Sequence, residues 1–421
     1  MTIRLILPIT VLALTSLQTL ANEVNTSATL PYQVLTTLTN GTEIRNGGYG
    51  SAMTAHPSFG DHFYALTDRG PNAKYQGPEG KGKIFPTPEY TPRIGLFRYS
   101  NGQITKVKEI LLKDPQGNAV SGLPNPKGMG DTGEVAYAND KSVLDTDPYG
   151  IDSEGLVALK DGGFWVSDEY GPHIVHYNQE GLELERINPF GTGTGGRKLP
   201  AVFANRRANR GMEGLAITPD EKVLFGIMQS TLYNPSKKTI TNKNLTRIVS
   251  FNIETGKTQQ FIYQQEANNL SNSEIVALNQ QQFLVIERDG GFAGGKGKKQ
   301  AKYKRIYKID LHQATDVSGD VTSPNGLRVN GKTLEQMSWQ ELANQGIKPV
   351  TKILVSDLLV DMPTPYPHDK LEGLWIRNNN QLAVLNDDDF SVAAKGEHVI
   401  QKVLPANQSI DQNTLYILEP K

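Results

Sequence analysis

Four short segments of this chain set a glutamate just ahead of an apolar run: DSEGLVAL (152–159), RGMEGLAI (210–217), SNSEIVAL (271–278) and DKLEGLWI (369–376). The glutamates are Glu154, Glu213, Glu274 and Glu372. A second apolar run follows each, as FWVSDEYG (164–171), VLFGIMQS (223–230), FLVIERDGG (283–291) and LAVLNDDDF (382–390). Three of these runs end on acids: Asp168 and Glu169, Glu287 and Asp289, Asp387 and Asp388. A degenerate earlier copy, YGSAMTAH (49–56) and FYALTDRGPN (63–72), ends on Asp68 and has Ala52 where the glutamate is expected. Carboxylates gathered at one place repel and raise one another's pKa. A hard divalent cation relieves this, and calcium, which takes six to eight oxygens in flexible geometry, is the simplest choice. With seven histidines and no cysteine, a typical structural zinc site is not expected. DTDPYGIDSE (145–154) is a further oxygen-rich loop, but it lacks the glutamate at its twelfth position that an EF-hand requires.

The same glutamates have a purely structural reading, in which each accepts backbone N–H bonds and pins one repeat to the next. Cations interleave with the acids at Arg69, Arg210, Arg288 and Lys370. Arginine forks suit phosphate or carboxylate bidentately, and Arg69 and Arg288 are the candidate anion clamps; internal ion pairs are the alternative. His173 and His368 lie beside acids, and His173 is the candidate general acid. GGKGKKQAKYKR (294–305) is the one basic run, read either as a grip for a polyanion or as a solvated loop.

Positioning such residues on one axis needs a repeated element. A third strand follows the first two in IGLFRYS (94–100), HIVHYN (173–178), RIVSFNI (247–253) and RIYKIDL (305–311), and a fourth in ITKVKEILL, LELERINPF, KTQQFIYQQ and TKILVSDLL. Strand, turn, strand, turn, strand, strand is a four-stranded antiparallel unit, and such units arranged radially form a β-propeller. The 41 glycines and 24 prolines, with little helical periodicity, fit an all-β chain. Five blades are readable and six are expected, with YQVLTTLT (32–39) closing the ring against TLYILEP (414–420). One helix is expected near 333–345. A β-sandwich with shared Glu-Gly turns is the competing fold.

Residues 1–21 carry one charge, Arg4, and an apolar run ending in Thr19-Leu20-Ala21. They read as a signal peptide, leaving 22–421 as one mature domain; an uncleaved anchor is the alternative, weakened by Thr15, Ser16 and Gln18. The absence of cysteine excludes disulfides, a lipoprotein anchor and a thiol nucleophile. A net charge of −1 gives no basic field for nucleic acid or anionic lipid. A periplasmic or secreted monomer acting on a small molecule is the expectation, with no membrane contact after cleavage.

At DSEGL…GGFWVSDEYGPHIVHYN, RGMEGLAITPD, ERDGG and HDKLEGLW, the chain resembles the phytase-like family described as having esterase-like activity. It is more distantly similar to calcium-dependent β-propeller phytases. The resemblance implies a channel lined by Glu154, Glu213 and Glu372, with Asp168 and Glu169 beside them, and hydrolysis of phosphoesters by metal-activated water. The candidate metal ligands are Glu154, Asp168, Glu169, Glu213, Glu287, Asp289, Glu372, Asp387 and Asp388. Two alternatives stand beside a phosphoester hydrolase: a lactonase or carboxylesterase, and a non-catalytic binding propeller with structural calcium. No G-x-S-x-G is present, so a serine esterase has no elbow signature.

Overall fold

The computed structural model describes residues 27–377 and 381–418; the signal-peptide segment lies outside them. Five four-stranded antiparallel sheets account for most of the strands. Sheet one holds Ala52–Ala55, His62–Leu66, Arg93–Ser100 and Gln103–Leu111, and sheet two Ser153–Ala158, Phe164–Asp168, His173–Tyr177 and Glu183–Ile187. Sheet three holds Met212–Ile217, Val223–Met228, Leu245–Asn252 and Thr258–Gln264. Sheet four holds Ser271–Ala277, Gln282–Arg288, Lys304–Asp310 and Thr351–Asp357. Sheet five holds Gly373–Ile376, Leu382–Leu385 and Thr414–Leu418, completed by Ser27–Thr29. Every strand assigned to a repeat from the sequence is present in its expected order.

The closing strand differs from expectation. Ser27–Thr29 pairs with the last strand, Ser27 facing Tyr416, whereas Val34–Thr37 forms a separate hairpin with Glu43–Arg45. The reason is burial. Ala28 and Leu30 enter the core beside Leu415 and Ile417, but every residue of Val34–Thr37 is exposed.

Adjacent sheets pack through separate apolar clusters. Leu66, Ile94, Leu156 and Val175 join sheets one and two, and Trp165, Ile174, Leu215 and Val249 join two and three. Ile227, Ile248, Ile275 and Val285 join three and four, Ile286, Ile306, Leu374 and Val384 join four and five, and Trp375, Leu385, Phe63 and Phe97 return from five to one. The opening strands therefore neighbour one another in a cycle, one to five and back to one. Being covered on both sides, the second strands are almost wholly buried, as in Phe164–Asp168, so they read as continuous apolar runs rather than alternating ones. The outermost strand of sheet one, Gln103–Leu111, is largely exposed, whereas that of sheet three, Thr258–Gln264, is buried along Gln260–Tyr263. A sixth four-stranded sheet does not occur among the described residues.

Two additions flank the cycle. A three-stranded sheet (Ala73–Gly77, Gly80–Ile84, Val135–Tyr137) and the hairpin Val392–Lys395/His398–Gln401 share a cluster with Ile44, Tyr90 and Phe390. The segment 315–347, which contains the expected helix as Trp339–Asn344, covers the outer part of sheet three through Leu334, Met337 and Leu342. A fully buried ion pair pins it there. Arg247 Nε lies 2.7 Å from Glu335 Oε1 and Nη2 3.2 Å from Oε2, while Asn234 donates to Glu335 at 2.9 Å. Breaking one side strands a buried charge, which costs about 3–5 kcal/mol, whereas an apolar replacement of both restores much of it. In urea unfolding, Glu335→Ala should lose stability on that scale, and Arg247→Met/Glu335→Leu should recover at least half.

Candidate active site at the ring mouth

Register explains why the glutamates converge. In sheet two Ser153 faces Asp168 and Gly155 faces Ser167, so Glu154 is an extra residue with no cross-strand partner. In sheet three Met212 faces Met228 and Gly214 faces Ile227, leaving Glu213 in the same state. Such a bulge turns one side chain out of the pleat. The glycine that follows is needed for close approach. A Cβ on Gly155 would lie 2.6 Å from the Leu215 nitrogen, and one on Gly214 2.6 Å from the Ile275 nitrogen. In sheet five Gly373 faces Leu385, which places Glu372 in the corresponding position.

Two copies depart from this pattern. In sheet four Asn272 faces Glu287 and Glu274 faces Ile286, so the bulged residue is Ser273 and Glu274 stands in the glycine's place. Its Oε1 accepts the Ile275 N–H at 2.9 Å, and the carboxylate comes close to the backbone N–H groups of Met53 in sheet one and Leu215 in sheet three. Glu274 is thus a pin across the middle of the cycle, and burial pushes its carboxyl well above the usual range. In sheet one Ala52 faces Leu66 as Leu156 faces Val166, so Ala52 stands in for Leu156 and Gly50 takes the glutamate's position.

A second row lies just beyond the ends of the second strands. Two residues past Ser167 and its counterparts come Arg69, Glu169, Gln229, Arg288 and Asp387, one from each sheet. Gln229 Nε2 donates to Glu169 Oε1 at 2.9 Å. Arg69 is ion-paired with Asp152, with Glu134 at 3.4 Å and with Glu169 at 3.5 Å. Arg288 pairs with Glu372 and donates to Ser273 Oγ at 2.9 Å; Lys370 pairs with Asp387 and, at 2.7 Å, with Asp389. Ligand oxygens of Asp152, Glu154 and Glu169 all lie within 4.8 Å of one another. Asp152 was not singled out from the sequence; its place directly before the bulge, in IDSEGL, was the available signal.

Burial and mutual repulsion dominate the electrostatics. Glu154 is pushed well above its usual range by burial and then by Glu213, Asp152 and Glu372, and Glu213 by burial with Glu169 and Glu372. Glu169 rises to about 7 through burial and Asp152, and Glu372 to about 7 mainly through burial, with Lys370 and Arg288 opposing. Buried oxygens of Glu213, Glu372 and the pin Glu274 have no hydrogen-bond partner. Hard oxygen donors, close spacing and orphaned carboxylate oxygens fit a divalent cation of the calcium type.

The remaining candidates are placed elsewhere or already bonded. Asp168 accepts the Asp152 N–H at 2.7 Å and the Gly171 N–H at 2.8 Å, tying the two rows together. Glu287 accepts Tyr263 Oη at 2.6 Å, the Glu266 N–H at 2.7 Å and Lys352 Nζ at 3.1 Å, and so braces sheets three and four. Asp289 holds Lys304 and the turn around Gly291; Asp388 holds Phe390, Ser391 and Asn413. His173 is buried, receives Arg186 Nη1 on Nδ1 at 2.9 Å and lies 3.2 Å from the Met129 carbonyl through Nε2. Burial and the Arg186 charge lower its pKa well below the usual range, which keeps it neutral. His368 is buried between Asp411 and Tyr416. In the 145–154 loop, Asp147 is occupied by Ser121 and Tyr149.

Crowded carboxylates and a neutral pin respond differently to substitution. With chelator at neutral pH, Glu154→Gln should raise the melting temperature by about 2 °C, because folding no longer holds a crowded, buried carboxyl above its usual range. Glu274→Gln should change stability little, while Glu274→Ala should cost about 1–3 kcal/mol by stranding backbone donors. Thermal and urea unfolding of the three variants check the assignment of roles.

Two proteins similar to this chain are distant from it in sequence. A crystal structure of a Lactobacillus plantarum protein aligns over 90% of this chain and 93% of its own, at 10% identity and a TM-score of 0.36. A protein of Arthroderma benhamiae, known as an uncharacterized secreted protein, is 24% identical over 301 residues. That match spans 59% of this chain and 57% of the fungal protein, so the chain corresponds to little more than half of its relative. The family described as phytase-like, esterase-like activity of phytase, matches residues 44–390, a stretch that contains both rows of the mouth and every opening strand. With that span, the chain belongs to the phytase-like family with esterase-like activity.

Proposed function

We propose that this protein is a secreted, calcium-dependent hydrolase of phosphoesters, working as a monomer at the mouth of a five-bladed β-propeller. The blade number follows from reading the closed cycle of opening strands as the propeller axis, one fewer than the sequence repeat suggested. The observation that carries the function is the pair of rows, Glu154 and Glu213 on bulges with Glu372 at the corresponding position, and Arg69, Glu169, Gln229, Arg288 and Asp387 above them. They gather buried carboxylates and cations at one end of the cycle, with oxygens of Glu213 and Glu372 lacking partners.

Asp152, Glu154 and Glu169 would hold the cation, with Glu213 and Glu372 nearby. Such a cation supplies neutralisation of phosphate charge and a lowered pKa for a coordinated water. Arg69 and Arg288 are committed to Asp152 and Glu372, so their role is to hold those carboxylates in place rather than to grip substrate. With a cation offsetting the repulsion that holds Glu213 toward its protonated form, its unpartnered oxygen would take a proton from a coordinated water. His173, neutral and locked by Arg186, does not serve as the general acid in this reading. The family's description also favours a second substrate class, carboxylic esters, at the same site.

The deciding assay uses aryl phosphate, phytate and aryl acetate, with calcium and after exhaustive chelation. Phosphatase turnover restored by calcium, and lowered at least about 100-fold in Glu213→Gln and Asp152→Asn variants with native melting behaviour, is the expected result. Turnover of the acetate alone would move the assignment to an esterase. No turnover of any substrate, with calcium still raising the melting temperature, would leave a binding propeller with structural metal.

A further inference from the structure

We propose that Arg207 and Arg210, on the loop entering sheet three, form the clamp that holds the anionic group of the substrate. The inference rests on the reading above only for which anion is bound. The cations of the two rows are spent. Arg69, Arg288 and Lys370 each pair with carboxylates of the cluster, and Lys402 pairs with Asp369, Asp389 and Asp411. Arg206, next in the chain, is taken by the carbonyls of Tyr170, Gly130 and Asp131. Lys83 donates to Asn72.

Arg207 and Arg210 differ from these. Both are half-buried, and among the described residues neither has a carboxylate oxygen within 4.0 Å. A turn in which Arg207 O accepts the Arg210 N–H at 3.1 Å, with Asn209 at φ +49°, holds their backbones together. The Arg207 guanidinium lies over the Tyr233 ring, 5.3 Å from its centroid, and Arg210 Nη1 is 3.4 Å from Ser271 Oγ at the entry to sheet four. Their place beside the site is fixed by backbone contact. The loop passes so close to Glu169 that a Cβ on Gly211 would meet its carbonyl oxygen at 2.2 Å. Burial and the Arg207 charge lower the pKa of Arg210, opposed by Glu169 and Glu213, and the guanidinium remains a full cation.

Two half-buried guanidinium groups carried on one turn without a counter-ion are costly, and an anion that reached both would remove that cost. Their planar forks suit the several oxygens of a phosphomonoester dianion and give nothing comparable to a neutral ester. The loop would therefore set specificity for charged over neutral substrates, while the carboxylate rows carry the chemistry.

The test compares wild type with Arg207→Gln/Arg210→Gln and with Arg210→Lys, each first shown to melt as wild type does. Titration calorimetry with inorganic phosphate, in chelator and again with calcium, reads the clamp directly. The double variant should lose about tenfold or more in phosphate affinity under both conditions, and Arg210→Lys should retain part of it. With aryl phosphate, KM should rise about tenfold with kcat within roughly threefold, and KM for aryl acetate should not move. If wild type turns over no phosphate ester, the proposed activity fails, yet the phosphate titration still decides the clamp. Equal phosphate affinity in wild type and the folded double variant, or no phosphate binding by wild type at millimolar concentration, would overturn it.

Discussion

The structure depends on how it carries several carboxylates out of water at one end of a closed cycle of strands. Isolated buried charges are expensive, so a fold that concentrates them must supply counter-charges, protons or a cation. This chain supplies the first from the row above the bulges, where Arg69 meets Asp152 and Arg288 meets Glu372. It supplies them incompletely, since Glu154 and Glu213 remain pushed toward their protonated forms. That shortfall is what makes the mouth a candidate site rather than a brace.

The bulge and the glycine after it are two halves of one solution. The bulge aims the glutamate out of the pleat, and the missing Cβ lets the next opening strand come within contact distance. Sheet four shows what happens when the halves are exchanged. There Ser273 is the bulged residue and Glu274 fills the glycine's place, and a would-be ligand becomes a pin across the middle. One residue of register separates the two roles, because the period of a strand is two and a single step moves a side chain to a different surface.

The acids at the ends of the second strands divide in the same manner. Asp168 and Glu169 are neighbours in sequence, but Asp168 closes backbone turns and Glu169 faces the mouth. Glu287 and Arg288 divide likewise, Glu287 toward Tyr263 and Lys352, Arg288 toward Glu372. Sequence reading grouped such neighbours together because both members are polar and adjacent to an apolar run; only the register tells them apart.

The strand content, the four-strand repeat, the order of strands within each unit and the convergence of Glu154, Glu213 and Glu372 were legible in the sequence. These follow from local signals: apolar period, turn residues and repetition, which act within one unit at a time. The strand that closes the cycle, the number of sheets, the alignment of Glu274, the participation of Asp152 and Glu134, and the isolation of Arg207 and Arg210 were decided by tertiary structure. Each of these depends on which side chains meet across sheets, and therefore on distances between residues far apart in the chain. Repetition could indicate that the acids would gather; only packing could determine which of them keep a partner and which are left without one.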